Sequence, residues 1–149
     1  MRSIKNTTEL IFVRKNVSGK VFVCKEGLSF WGGVDPLTGS IIDVHHPAHG
    51  ESLAGKIVLM PASRGSCSGS GVIVQLARNS RAPAALVFLE EESILTLGSI
   101  IAKMLFGRNI AILRVTRDTY HALAKAKTAK LSNKTLFFSR HRVKLKEPD

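Results

Sequence analysis

The chain has 149 residues, 22 Lys and Arg against 11 Asp and Glu, and two cysteines. That length suits one domain able to bury a core without disulfides, and 44% hydrophobic with 22% charged residues excludes a disordered or fibrous chain. Two cysteines exclude a disulfide scaffold and any self-contained four-thiolate metal or iron–sulfur site, while the net charge of +11 points to an anionic partner or substrate and says nothing about fold.

Residues 1–16 read as a leader whose apolar run Leu10–Val13 is too short for a signal peptide. Nowhere does an apolar run approach the roughly 20 residues of a membrane span; the best, Ser99–Phe106, is broken by Lys103. The expected compartment is the cytoplasm, where Cys24 and Cys67 stay reduced, and the Asn-x-Ser/Thr triplets at Asn6, Asn16 and Asn133 are read as chance matches. Val17–Lys25 alternates and predicts a strand covered in part on both faces. Leu28–Gly39, with Gly32-Gly33, Pro36 and Gly39, predicts tight turns. Ser40–Val44 reads as a short strand and His45–Gly50 as a loop.

Lys56–Met60 is an apolar strand that stops at Pro61 and enters the serine–glycine segment Ala62–Gly71. Val72–Arg78 suits a mostly buried helix begun near Ser70. Ala84–Leu89 is a buried strand, and Glu90–Glu92 favour the N-terminus of the helix Ile94–Phe106, which Gly107 stops. Ile110–Val115 predicts a strand, Arg117–Lys127 a helix begun near Thr116, and Thr135–Phe138 a last strand. Strand and helix alternate in this half after a front of strands and turns. The reading is an α/β domain with a partly parallel sheet and a β-rich front section.

Residues 114–149 carry ten bases and three acids, so +7 of the +11 lies there. In the basic tail 139–149, Arg140, Arg142, Lys144 and Lys146 alternate with His141, Val143 and Leu145, which suits an edge strand or ordered arm. Such a charge run is more often a solvated face than a nucleic-acid site, and single-strand binding would want aromatics interleaved, of which there are none after Phe138.

The serine–glycine segment carries the strongest local signal. It leaves a strand and opens a helix, its glycines let backbone N–H groups approach a ligand, and Arg64 adds a full positive charge. These are the parts of an anion cradle. The phosphate-loop pattern fails because no Lys follows its last glycine, and Gly69-Ser70-Gly71-Val72 fails the dinucleotide fingerprint. Gly65-Ser66-Cys67-Ser68-Gly69 fits a nucleophile elbow centred on Cys67, with His121 or His141 as base, although the chain is short for that hydrolase fold. A plain Ser/Gly turn is the competing reading. His45, His46 and His49, with Asp43 or Glu51, could suggest a metal, but Pro47 and Gly50 favour a turn. Cys24 on its strand reads as a small core residue, and Phe30 and Trp31 as core aromatics or a pocket lining.

Two stretches together resemble a known family. Phe30-Trp31-Gly32-Gly33-Val34-Asp35-Pro36 with Gly39 and Ile42-Asp43, then Arg64-Gly65-Ser66-Cys67-Ser68-Gly69-Ser70-Gly71, are similar to the small swivelling domain of aconitase X. Ala82–Ala85 and Ile94–Gly98 fit the same pattern, and the resemblance runs over about residues 17–115. It implies a swivelling β/β/α domain, drawn here as residues 17–138, and a heterodimer with a large aconitase X-type catalytic subunit that carries the iron–sulfur cluster. It implies a hydro-lyase in which Ser66 accepts the substrate proton, with Ser70 as second choice, and in which Arg64, Gly65, Ser68, Gly69 and Ser70 bind a small anionic substrate. This chain by itself would hold no metal.

The separate-subunit relatives of that family divide between dehydration of cis-3-hydroxy-L-proline and of phosphomevalonate. Archaeal loops more often read Gly-Lys-Gly-Ser-Thr-Val-Gly-Ser; here Arg64 replaces the Lys and Cys67-Ser68 replace Thr-Val, which leans toward hydroxyproline. The reading from another class is a nucleic-acid or anionic-surface binding module that uses the basic tail.

Overall fold

The computed structural model describes residues 16–146 together with the short strand β1 at Arg2–Ser3. The remaining elements are β2 (Val17–Val23), a single kinked turn α1 (Phe30–Gly33), β3 (Ile57–Leu59), α2 (Ser68–Arg78), β4 (Ala85–Phe88), α3 (Ile94–Phe106), β5 (Ala111–Arg114), α4 (Arg117–Ala124), β6 (Thr128–Ser132), β7 (Thr135–Phe138) and β8 (His141–Lys144). They form one sheet in the order β1-β8-β7-β6-β2-β3-β4-β5. From β2 to β5 the pairing is parallel, with Val21 opposite Ile57, Ile57 opposite Ala85 and Ala85 opposite Ala111. From β2 through β6 and β7 to β8 it is antiparallel. β2 serves both halves, since Val17–Lys20 pair with β6 and Val21–Val23 with β3.

The central strands are apolar on both faces because both faces are covered. Their two-residue period deals the side chains into two cores. Ile57, Leu59, Ala85, Val87, Ala111 and Leu113 join one core with Tyr120 and Leu123 of α4 and with Leu131, Leu136, Phe138 and Val143 of the antiparallel strands. Val58, Met60, Leu86, Phe88 and Ile112 join the other with Val72, Ile73 and Leu76 of α2, Leu95 and Ala102 of α3, and Leu28 and Phe30 of the front section. The mixed α/β architecture read from the sequence is present, with α2 and α3 packed together on the second face. Val143 and Leu145 are buried in the first core, so the basic end of the chain is packed into the domain.

Local chemistry sets the ends of the elements. Gly107 closes α3 in the left-handed region at φ 64°, its N–H donating to the Lys103 carbonyl at 2.9 Å. Thr116 caps α4 through its hydroxyl, which accepts from Thr119 N–H at 3.3 Å. That helix stops at Ala124, short of the expected Lys127, because the Lys127 carbonyl accepts from Val21 N–H at 2.9 Å and the chain turns to lie beside β2. The strand expected at Ser40–Val44 is absent, leaving only the bridges of Ser40 to Ser52 and Ile41 to Val34. Asp43 ends pairing there, since its side chain accepts from His45 N–H at 2.9 Å and its carbonyl from His46 N–H at 3.1 Å.

Cys24 is a core residue, fully enclosed behind β2. Burial pushes its thiol from 9.0 up to about 11, and burial followed by the nearby Cys24 thiolate pushes Tyr120 from 10.0 up to about 12. Above pH 9 the unfolded chain gives up the Cys24 proton while the folded chain keeps it, so stability falls between pH 9 and about 11. Cys24→Ala should flatten that part of the denaturation midpoint against pH. An unchanged slope would assign the alkaline loss to Tyr120 and the surface.

Candidate functional site

The serine–glycine segment leaves the C-terminal end of β3 and turns into α2. Its path is set by the chain leaving β2. Arg64 N–H donates to the Leu28 carbonyl at 3.1 Å, and Ser29 and Arg64 form a parallel bridge. The two stretches lie close enough that a Cβ on Gly27 would stand 2.5 Å from the Ala62 carbonyl oxygen. Gly65 then takes φ +99°, a conformation that favours glycine, and a Cβ there would also force Ser29 Oγ, 2.5 Å away, to turn aside.

Beyond Gly65 the serines divide by role. Ser66 is exposed; its Oγ accepts from Ser68 N–H at 3.4 Å, and its carbonyl accepts from Gly69 N–H at 3.1 Å. Ser70, half-buried in the first turn of α2, donates its hydroxyl to the Cys67 carbonyl at 2.7 Å. Gly69 is buried beneath Leu95, Phe30 and Ile94, while Ser68 is exposed. Among the described residues, nothing accepts from the amides of Gly65, Ser66 and Cys67, and nothing pairs with the exposed Arg64 guanidinium. The exposed Ser66 hydroxyl thus lies in a short run of chain that also carries three N–H groups without an acceptor among the described residues, the exposed Arg64 and the start of α2. Such a set of groups can bind an anion and stabilise negative charge on an oxygen.

A second support is not visible in the sequence. Glu92 accepts from Leu95 N–H at 2.9 Å and Thr96 N–H at 3.0 Å, and also from the Ser63 hydroxyl at 3.1 Å. The carboxylate caps α3 as its position before the helix predicts, and it ties that helix to the start of the serine loop. The spacing of 29 residues between Ser63 and Glu92 gives no local signal. Glu92→Ala should cost about 1–2 kcal/mol, as loss of a cap does, seen as a lower urea midpoint. Retention of the full midpoint would show the cap idle.

The other candidates fall in different places. His46 is buried; its Nδ1 accepts from Ala48 N–H at 3.0 Å, which leaves Nε2 to donate to the Glu26 carbonyl at 3.3 Å. Both ring nitrogens are occupied in pinning a turn, and His45 and His49 are exposed. No group of three His, Cys, Asp or Glu that could hold a metal forms among the described residues. Cys67 is exposed and reduced, but His121 lies on α4 in the other layer and His141 on β8, where it stacks on Phe138. Neither histidine is brought to the cysteine, and the elbow reading loses its base. Phe30 is core at 1% exposure; Trp31 stands out at 64% beside the loop, its carbonyl accepting from Ser29 Oγ at 3.1 Å. A shallow cavity of about 510 Å³ on the antiparallel half, lined by Lys20, Lys130 and Phe137 among others, includes none of the loop.

The pattern of the aconitase X swivel domain matches residues 6–138. The chain belongs to the aconitase X swivel-domain family. The domain is 41% identical over 125 residues to a cis-3-hydroxy-L-proline dehydratase of Hypocrea jecorina, covering 84% of this chain and 21% of that protein. It is 50% identical over 105 residues to the phosphomevalonate dehydratase small subunit of Pyrococcus abyssi, covering 68% of this chain and 81% of the other. The chain thus spans about a fifth of the hydroxyproline dehydratase and most of the small subunit. In structure the swivel domain is similar to Thermococcus kodakaraensis aconitase X in its holo-form, with TM-score 0.73 and 31% identity over 90% of this chain and 98% of the other. It is also similar to a UPF0107 protein solved by NMR, with TM-score 0.74 and 26% identity over 91% of this chain and 100% of the other. Among the described residues no helix is long and apolar enough to cross a membrane.

An iron–sulfur cluster is held by several cysteine thiolates. Here Cys24 is sealed in the core with a raised pKa, and Cys67 stands alone on the loop. The residues of this chain do not fit such a cluster.

Proposed function

We propose that this chain is the small subunit of an aconitase X-type dehydratase, inactive alone, and that it brings Ser66 to a substrate held against a large catalytic subunit. In this reading the large subunit holds the iron–sulfur cluster, and the two chains form a heterodimer in the cytoplasm. The observation that carries it is the exposed Ser66 hydroxyl in a loop whose Gly65, Ser66 and Cys67 amides have no acceptor among the described residues and whose Arg64 is exposed.

A serine hydroxyl is a poor base at neutral pH and takes a carbon-bound proton only where its alkoxide is strongly stabilised. N–H donors, the α2 N-terminus and Arg64 supply that stabilisation. Arg64 can equally hold a substrate carboxylate by a two-point contact. Gly65 and Ser68 complete the binding surface, while Gly69 and Ser70 use their polar groups within the loop and shape its floor. Ser66 rather than Ser70 is the proton acceptor, because the Ser70 hydroxyl already donates to Cys67 and is half-buried.

The substrate we assign is cis-3-hydroxy-L-proline. Arg64 and Cys67-Ser68 stand where the archaeal phosphomevalonate loop more often has Lys and Thr-Val, and a dehydratase of hydroxyproline is a relative over 84% of the chain. The alternative is phosphomevalonate, favoured by the match to most of the length of an archaeal small subunit. Anaerobic co-purification with the large subunit, followed by parallel assays on both compounds, decides between them. Turnover of hydroxyproline alone is the expected result; turnover of phosphomevalonate alone reverses the substrate, and turnover of neither by an assembled complex overturns the reading.

A further inference from the structure

We propose that an apolar stripe along α3 is the seat of the large subunit; this rests on the function proposed above. At 100° per residue, Leu97, Ile101, Met104 and Leu105 fall on one side of the helix, adjoining the face that packs into the core through Leu95, Gly98, Ser99 and Ala102. Leu97 is 51% exposed, Met104 79% and Leu105 64%. A helix apolar on two faces is built to be covered on both, and a contiguous apolar stripe on a surface marks a contact site. The second core accounts for one face of α3, and among the described residues nothing covers the other.

The position of the stripe identifies its partner. Ile94, at the start of α3, lies against Gly69 of the serine loop, with its Cγ2 3.8 Å from where a Cβ would be. The stripe therefore begins beside the loop and runs away from it along the helix. Trp31 is also exposed, and its segment reaches the loop through Ser29 and the bridge to Arg64. A surface with apolar ground beside a proton-accepting serine docks onto whatever presents the substrate. The relative that matches over 81% of its own length is named a small subunit, so a larger companion belongs to such a chain. The partner chemistry that fits is an apolar rim around the substrate opening of the large subunit.

The test is co-expression with the large subunit and measurement of their affinity by titration calorimetry. Leu97→Glu with Leu105→Glu should weaken binding by about 100-fold or more, the range of lost interface anchors, while the circular dichroism and melting point of the small subunit stay as in the parent. Lys103→Glu, on another side of the same helix, should bind as the parent does. Should the double variant fold poorly, Met104→Glu at the most exposed position gives the same reading. Binding within threefold of the parent by folded stripe variants overturns the proposal. So does an isolated chain that dimerises through the stripe, becomes monomeric in the variant and still binds the large subunit. If the parent complex forms and dehydrates neither compound while the stripe variants fail to bind, the functional reading falls and the docking surface stands. Failure of the parent pair to associate at all overturns both.

Discussion

Ser66→Ala in the assembled complex should lower kcat by about 10²–10⁴-fold, the usual contribution of a positioned base, and leave KM and assembly nearly unchanged. The hydroxyl is exposed and, among the described residues, accepts one long bond, from Ser68 N–H at 3.4 Å, so its loss barely touches the fold. Ser70→Ala should do the reverse. It removes the 2.7 Å bond to the Cys67 carbonyl at the start of α2, costs about 1 kcal/mol of stability, and keeps most of the turnover. Steady-state kinetics beside size-exclusion profiles of the two complexes separate these outcomes. Full turnover by the Ser66→Ala complex would sink the assignment, and collapse in Ser70→Ala with Ser66→Ala spared would transfer it to Ser70.

Gly98→Val should be the most damaging single change to the helical layer. A Cβ at Gly98 would lie 2.7 Å from the Ser70 carbonyl oxygen and 2.9 Å from Ile73 Cβ, both in α2. The helices cannot accept that methyl without parting. Overpacking of this kind costs about 1–3 kcal/mol or more, and for a chain of this size each kcal/mol lowers the melting point by roughly 2–4 °C. Because the obstructing carbonyl belongs to the first turn of α2, activity of the complex should fall along with stability. Gly71→Ala is the matched control. Nothing lies within 4 Å of its Cβ position, and a helical alanine should raise stability by about 0.5–1 kcal/mol. Calorimetric melting of the two variants would show opposite shifts; equal shifts would mean that α2 and α3 are less closely seated than their contacts require.

The helix Ile94–Phe106 and the strand Thr135–Phe138 have the ends that the sequence predicts, because their boundaries are local: Glu92 before the first, Gly107 after it, and an alternating apolar strand in the second. β6 has no such signal. Thr128-Ala129-Lys130-Leu131-Ser132 is short and follows a helix rich in similar residues, and it is held on one side by the adjacent β7 and on the other by Val17–Lys20, over a hundred residues earlier. The same division runs through the site. Arg64, Gly65 and Ser66 are legible because a strand end, glycines and a helix start are adjacent in sequence. Ser29 and Glu92 are not, since each reaches the loop from a distant segment. In the histidine cluster the turn favoured by Pro47 and Gly50 is what forms, and His46 pins it with both ring nitrogens engaged.

β2 draws its two neighbours from widely separated parts of the sequence, β3 at residues 57–59 and β6 at residues 128–132. On a ribosome, the first half of β2 must therefore wait without β6 until more than a hundred further residues have been made. Parallel strands β3, β4 and β5 are made in the interval, apolar on both sides and covered on one of them only once the antiparallel strands arrive. Long-range pairing of this kind folds slowly and leaves sticky intermediates. Closure of the sheet at β2 is therefore a late event in folding, and one face of the parallel strands stays open until the antiparallel strands pack against it.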